Sequence, residues 1–372
     1  MNVAIAGALT DPNARGGEPE AVKYVLKGLE QENIKYTLVN FNNALTKDQV
    51  YKGVVKIFRG FYLYDEYLKF FRERNPDVIL GFTDFDSSYA LAASDLGIPL
   101  ILAVHTYWGI CPSNNLFNWK NQDCSGSAPL KCIYCNLYNG NRVGLLNSLY
   151  SRKQERSFFA IPTKIIVPSN TVMKVLLKEG VPSEKIERIE NGIDLDFWKF
   201  SELPARGPLL YLSGYSKHKG GRDFLRASEE LGYLEFKGNI KAGKEKVPRN
   251  LEIFDWVSVE EVRSILNSSY ALVSPALWEE PFGYVVAQAM AVGRPVVAYR
   301  SGGISEQVID AVTGLLAEKG NFSDLLEKIK QISQDRTLAE RMGREARREA
   351  ERRFDYKIMA GKYANAIKDV VK

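Results

Sequence analysis

Short apolar runs alternate along the chain with longer stretches whose apolar positions recur every three or four residues. The first kind reads as buried strand and the second as amphipathic helix. Asn2–Ala8 reads as a strand, followed by a glycine-containing loop and a helix over about Glu18–Glu32. Strands at Lys35–Val39, Asp77–Gly81, Pro99–Val104 and Lys164–Val167 follow, with helices at about Asp65–Arg74, Ser87–Leu96 and Asn170–Glu179. The polar, proline-containing stretch Lys199–Pro208 breaks the pattern and reads as a linker. Alternation then restarts, with strands at Leu209–Leu212, Leu234–Phe236, Leu251–Phe254, Ala271–Val273 and Pro295–Ala298. Ser169, Ser258 and Asn321 stand where helix N-caps are expected.

This order predicts an α/β protein with two Rossmann-like, doubly wound parallel-sheet domains facing each other across a cleft. The first spans residues 1–200 and the second residues 207–353. Ligands of such sheets sit beyond the carboxyl ends of the strands, so the chemistry belongs in the loops that follow them.

A length of 372 residues agrees with two or three domains, and 45% hydrophobic with 26% charged residues is an ordinary globular balance. No apolar run approaches the ~18 residues that span a bilayer. The run from Val3 to Leu9 has no basic leader, and the expected compartment is the cytoplasm. The net charge of +5 is too mild to demand a polyanionic partner such as nucleic acid. The segment from Arg341 onward holds 10 Lys/Arg against 5 Asp/Glu, which is the whole excess. Arg344, Arg348 and Arg352 recur every four residues as a basic ridge, either a solvated face or a peripheral contact for anionic lipid.

Gly16-Gly17 opens the first helix, where backbone N–H groups can approach an anion, but alone the pair is a weak signal that a plain turn explains. His105 follows directly on a buried strand, an address that suits catalysis as well as core packing. His218 lies in Ser216-Lys217-His218-Lys219-Gly220-Gly221, a loop with mobile positive charge and backbone donors for phosphate. The segment Ser274–Gly283 carries Glu279 and Glu280 into a glycine-initiated helix. There a carboxylate complements the helix dipole or hydrogen-bonds sugar hydroxyls while the helix end receives a diphosphate. Gly302-Gly303 follows the next strand.

The second half resembles the donor domain of the family-4-type (group 1) retaining glycosyltransferases of the GT-B fold. The motifs are Asn191-Gly192-Ile193-Asp194, Lys219-Gly220, Glu280-Pro281-Phe282-Gly283, Ala289–Val297 and Thr313-Gly314-Leu315-Leu316. Gly16-Gly17, Gly97-Ile98-Pro99 with His105, and Val167-Pro168-Ser169 extend the likeness through the first half. The resemblance implies that Lys219 neutralises the departing nucleoside diphosphate and that Glu280 contacts the donor sugar. Phe282 and Gly283 would present backbone amides, Gly238 would lie near the base, and His105 would line the sugar site from the opposite domain. It also implies that a final helix, residues 354–372, completes the first domain.

Two departures stand out. Family members pair two acids separated by seven residues, whereas that position after Glu280 is Gln288. The family's phosphate-binding arginine ahead of the lysine is replaced by Gly214 or Tyr215, with Lys217 the substitute and Arg222 the reserve.

Cys111, Cys124, Cys132 and Cys135 follow a C-x12-C-x7-C-x2-C spacing within the loop 105–140, which suits a structural zinc site, disulfides or reduced thiols. Tyr107, Trp108, Phe117, Trp119, Tyr134 and Tyr138 suit an acceptor sugar or local packing. Asp84-Phe85-Asp86 and Asp194-Leu195-Asp196 read as turn residues, so no catalytic metal or other cofactor is expected. The function expected is transfer of a hexose from a UDP- or GDP-sugar to a glycan or lipid-linked acceptor. A GT-B phosphorylase or epimerase, or a non-catalytic sugar-nucleotide-binding module, is the alternative.

Overall fold

A computed structural model of the chain describes residues 1–7, 17–39, 63–82, 88–107, 109–111, 114–118, 123–124, 129–138, 158–214, 216–240 and 247–371. Gly16, Asp84-Phe85-Asp86, Trp108, Trp119 and Tyr215 lie outside these residues. The contacts divide the chain into two units, Met1–Asn191 with Tyr356–Lys372, and Gly192–Asp355.

The first unit is built on six parallel strands: β1 (Asn2–Ala6), β2 (Lys35–Leu38), β3 (Val78–Phe82), β4 (Leu100–Ala103), β5 (Lys164–Val167) and β6 (Ile186–Arg188). Their order across the sheet is β2-β1-β3-β4-β5-β6. Val3 stands opposite Val78, Ile79 opposite Leu100, and Ile165 opposite Ile186. Strands β3 and β4 are buried along their whole length, as the unbroken apolar runs of a sheet covered on both faces require. The helices are α1 (Gly17–Gln31), α2 (Tyr64–Arg74), α3 (Ser88–Leu96), α4 (Pro129–Tyr138) and α5 (Asn170–Lys178).

The second unit contains β7 (Leu209–Tyr211), β8 (Phe236–Gly238), β9 (Leu251–Ile253), β10 (Ala271–Ser274), β11 (Val296–Tyr299) and β12 (Gly314–Ala317). Its helices are α6 (Gly221–Glu230), α7 (Val259–Ser268), α8 (Tyr284–Ala291), α9 (Ile304–Gln307), α10 (Phe322–Gln334) and α11 (Arg336–Arg353). The last helix, α12 (Tyr356–Val371), belongs to the first unit. It packs on α1 so closely that a Cβ on Gly28 would lie 2.4 Å from the Cβ of Ala360. The sheet of the second unit is also parallel, in the order β12-β11-β10-β7-β8-β9. The chain therefore winds one way from β7 to β9 and the other way from β10 to β12, and the switch point lies between β7 and β10.

Two details differ from the sequence reading. Leu231–Leu234 forms a turn, closed by Leu234 N–H donating to Leu231 O at 2.9 Å, so β8 starts at Phe236 and ends on Gly238. The stretch after Asn191 is not a loose tether. Trp198 is fully buried, and its carbonyl accepts from Arg347 at 2.8 Å. The fully buried Arg294 donates to the carbonyls of Ser201, Glu202, Leu266 and Asn267. These bonds fix residues 198–202 to the second unit.

The N-caps stand where the sequence places them. Ser169 Oγ accepts from Val172 N–H, Asn321 Oδ1 from Asp324 N–H, and Ser258 forms a capping box with Glu261. The basic ridge of α11 is neutralised within the unit, since Arg344 pairs with Glu202, Arg348 with Glu345 and Arg352 with Glu349. Among the described residues no helix is long and apolar enough to cross a membrane.

Candidate functional site

The loops that follow β7 and β10 meet at the switch point of the second unit. Gly220 makes this possible. Its φ is +78°, and a Cβ there would fall 1.7 Å from the carbonyl oxygen of Pro275. Only glycine tolerates both the left-handed backbone and that approach. Leu277 N–H then donates to His218 O at 2.8 Å, joining the two loops by their main chains. From below, the Tyr211 hydroxyl donates to Gly214 O at 2.6 Å and lies 3.2 Å from Lys219 O. Burial, assisted by the Glu280 charge, pushes the Tyr211 hydroxyl far above its ordinary pKa and keeps it a donor.

On this frame Lys219 Nζ lies 2.6 Å from Glu280 Oε2. The same oxygen accepts from Trp278 Nε1 at 3.1 Å, and Lys219 Nζ stands 4.4 Å from the centre of the Trp278 ring. His218 packs its ring on Trp278 with centroids 5.0 Å apart. Burial, then the Lys219 charge, lowers the His218 pKa to about 4, so this imidazole adds no charge at neutral pH. The cluster is thus one ammonium and one carboxylate, about 24% and 14% exposed, clasped around an indole. An anionic ligand that bound Lys219 would have to displace this carboxylate from a charge-assisted hydrogen bond.

Beside this cluster, Gly283 starts α8 at φ +96° with no side-chain cap hydrogen bond, so the positive end of that helix adjoins the Glu280 side chain. Phe282 is buried, with its ring 5.2 Å from Tyr284 and 5.7 Å from Phe354. Gln288 is buried on the same helix. Lys217 and Arg222 are exposed, in the turn before α6 and in its first turn. Gly238 ends β8, and the next residue, Asn239, accepts from Gly214 N–H at 3.1 Å through Oδ1. Gly214 is therefore held by its backbone. The second unit brings Lys217, Lys219, Gly220, Arg222, Glu280, Phe282 and Gly283 to loops and helix starts beyond the carboxyl ends of β7 and β10, with Gly238 at the end of β8 and Gln288 in the second turn of α8.

The other candidates lie in the first unit. Gly17 opens α1. His105 is 7% exposed just beyond β4, with its ring stacked on Phe82 at 5.7 Å. Neither ring nitrogen has a hydrogen-bond partner among the described residues. Burial lowers its pKa to about 4, so at neutral pH it holds one N–H donor and one acceptor for a hydroxyl.

The zinc expected from the cysteine spacing is not supported. Among the described residues no three His, Cys, Asp or Glu side chains stand together as a metal-holding group. Cys132 and Cys135 sit on successive turns of α4, Cys132 on its buried side. Cys124 is fixed through its N–H to Leu116 O, and Cys111 through its N–H to Tyr107 O. Cys132 and Cys135 share α4, and with Cys111 and Cys124 they form no group of three that could hold a metal ion.

Sequence reasoning did not single out Tyr211, Asn239 or Trp278. Trp278 stands two residues before Glu280, and no periodicity within a loop shows that its indole N–H returns to that carboxylate. The only signal was its place inside the motif.

Two family models match the chain: Glycosyltransferase Family 4 over residues 21–197 and Glycosyl transferases group 1 over residues 237–349. Among curated proteins, a glycogen synthase of Mycobacterium tuberculosis is 30% identical over 193 residues, 47% of this chain and 46% of the relative. The capsular polysaccharide biosynthesis glycosyltransferase CapM of Staphylococcus aureus is 32% identical over 202 residues, 51% and 52% of the two chains. The chain thus spans about half the length of the curated relatives it matches. Among solved structures, a sucrose-phosphate synthase from Thermosynechococcus elongatus superposes with a TM-score of 0.73 at 16% identity, over 100% of this chain and 99% of the other. HepE of Anabaena in complex with UDP-glucose gives 0.70 at 15% identity, over 99% and 100%. At these identities the structures establish the fold.

Proposed function

Because the chain belongs to the group 1, family-4-type glycosyltransferases of the GT-B fold, we propose that it moves a hexose from a UDP- or GDP-sugar to a hydroxyl of a glycan or lipid-linked acceptor, with retention at the anomeric carbon. The Lys219–Glu280 pair beside the uncapped start of α8 carries this reading. In the reaction the bond from the anomeric carbon to the β-phosphate oxygen breaks, and the acceptor oxygen bonds that carbon. The hydroxyl proton passes to the departing diphosphate. Negative charge grows on the leaving group, and Lys219 and the first amides of α8 oppose it without a divalent cation. The diphosphate replaces Glu280 as the partner of Lys219. The released carboxylate then accepts from hydroxyls of the sugar, and no covalent nucleophile is assigned.

Gln288 keeps a hydrogen bond to the ribose in place of the usual acid, at reduced strength because neutral bonds are roughly half as strong as charge-assisted ones. Lys217, with Arg222 in reserve, supplies the charge missing at Gly214. His105 is assigned a sugar hydroxyl on the strength of its two unpartnered buried nitrogens. Contact of Arg344, Arg348 and Arg352 with anionic lipid has to compete with their glutamates.

The test is release of free nucleoside diphosphate from UDP-glucose, GDP-mannose and ADP-glucose, with and without lipid and glycan extracts. UDP-glucose comes first because HepE is seen with it. Release that depends on acceptor supports transfer. Donor binding without release in any extract points to a binding module, and release without acceptor dependence points to the phosphorylase or epimerase class.

A further inference from the structure

We propose that Glu279 is a positioning residue for Glu280, an inference that rests on the transferase reading above. The two adjacent carboxylates turn opposite ways. Glu280 faces Lys219 and Trp278, whereas Glu279 faces Lys319, in the loop after β12, with its Oε1 against the lysine Nζ. The other oxygen of Glu279, Oε2, accepts from Gly302 N–H at 3.0 Å, in the loop after β11. One carboxylate therefore ties together the loops that leave β10, β11 and β12.

The tie matters because the Gly302-Gly303 turn grips the backbone of Glu280. A Cβ on Gly302, whose φ is +48°, would fall 2.4 Å from Glu280 N. Gly303 N–H donates to Glu280 O at 2.6 Å, and Glu280 N–H donates to Trp278 O at 2.8 Å. Both the N–H and the C=O of Glu280 are held, and its side chain is thereby directed toward Lys219. Glu279 holds the gripping turn in place. Its ion pair is 31% exposed on the Glu279 side, and exposed pairs contribute little to stability, so its loss should appear in the aim of Glu280. A small misplacement of a group that must meet the reacting sugar costs turnover steeply.

The experiment compares wild type, E279A, E279Q, E280Q and the double variant E279A/E280Q. Turnover is read as nucleoside diphosphate released from whichever of UDP-glucose, GDP-mannose or ADP-glucose the wild type consumes, and Tm is read in parallel. We expect E279A to lower kcat by roughly 10- to 100-fold with little change in KM. E279Q, which keeps an acceptor for Gly302 N–H, should regain most of that loss. In the E280Q background E279A should lower kcat no further, although the Tm changes add. Unchanged kcat in E279A, or a full additional loss on top of E280Q, would overturn the positioning role. If E279A does not fold, K319M loosens the same bridge from its other end and is judged by the same outcomes. Failure of the underlying reading looks different: the wild type releases no diphosphate, or E280Q is silent.

Discussion

Lys219 and Glu280 are 61 residues apart in sequence, yet their charged atoms lie 2.6 Å apart at the switch point of the second sheet. In the proposed function the donor diphosphate takes the place of the Glu280 carboxylate beside Lys219. That carboxylate competes with any phosphate that approaches Lys219, which gives E280Q an unusual pair of effects. Its affinity for UDP or GDP alone should rise, by up to about fivefold, since partly exposed pairs are worth at most about 1 kcal/mol. Its turnover of the sugar-linked donor should fall. Calorimetric titration with the free nucleotides, beside the release assay, reads both signs. Weaker binding of free nucleotide by E280Q would mean that the glutamate assists the phosphate site.

Trp278 contributes a ring to Lys219 and an N–H to Glu280. W278F keeps the ring and deletes the donor. A hydrogen bond to a charged group is worth roughly 1.5–3 kcal/mol, so kcat/KM should fall about 10- to 100-fold with Tm nearly unchanged. W278A also removes the platform under Lys219 and should cost more in affinity for the donor. Equal kinetics for W278F and wild type would show that the indole N–H is dispensable.

Gly220→Ala tests the local frame. A methyl group cannot occupy a point 1.7 Å from Pro275 O, so the loops after β7 and β10 must separate. The left-handed backbone adds its own roughly 1–2 kcal/mol. We expect a loss of stability of about 3 kcal/mol or more, read as a fall in the thermal midpoint, together with loss of donor binding. A wild-type midpoint would refute the packing described for Gly220.

Both histidines are held neutral by burial, each with its pKa lowered to about 4. In the unfolded chain they titrate near the ordinary value of 6.5. Between that value and about 4 the unfolded state binds protons that the folded state refuses, so stability is complete above the upper limit and is lost as pH falls toward the lower one. His105 alone should account for a loss on the order of 3 kcal/mol. Denaturant midpoints measured across this interval should fall more gently in His105→Asn than in wild type. Parallel slopes would contradict the burial of a neutral imidazole.

The sequence showed most of the fold because parallel strands covered on both faces leave unbroken apolar runs such as Val78–Phe82 and Leu100–Ala103. Caps such as Ser169 and Ser258 were legible because their hydrogen bonds are local. Boundaries set by long-range contacts were not. The attachment of residues 198–202 depends on Arg294 and Arg347, some 90 to 150 positions away, which no local pattern reports. The motif around Glu280 was readable, but the second function of its neighbour Glu279 and the fold-back of Trp278 exist only once three loops converge. The cysteine spacing left zinc, disulfides and free thiols open because spacing alone does not tell which thiols meet in space.

Thermal stability against UDP-, GDP- and ADP-linked hexoses, for wild type and Lys219→Ala side by side, decides whether the Lys219–Glu280 cluster receives a donor diphosphate. A ligand at 100 times its dissociation constant stabilises by about 2.7 kcal/mol, which is a readable shift. The expected result is a shift with one nucleotide class in wild type and its loss in Lys219→Ala. No shift with any of them into the millimolar range, or the same shift in both proteins, would contradict the assignment of this cluster to the donor.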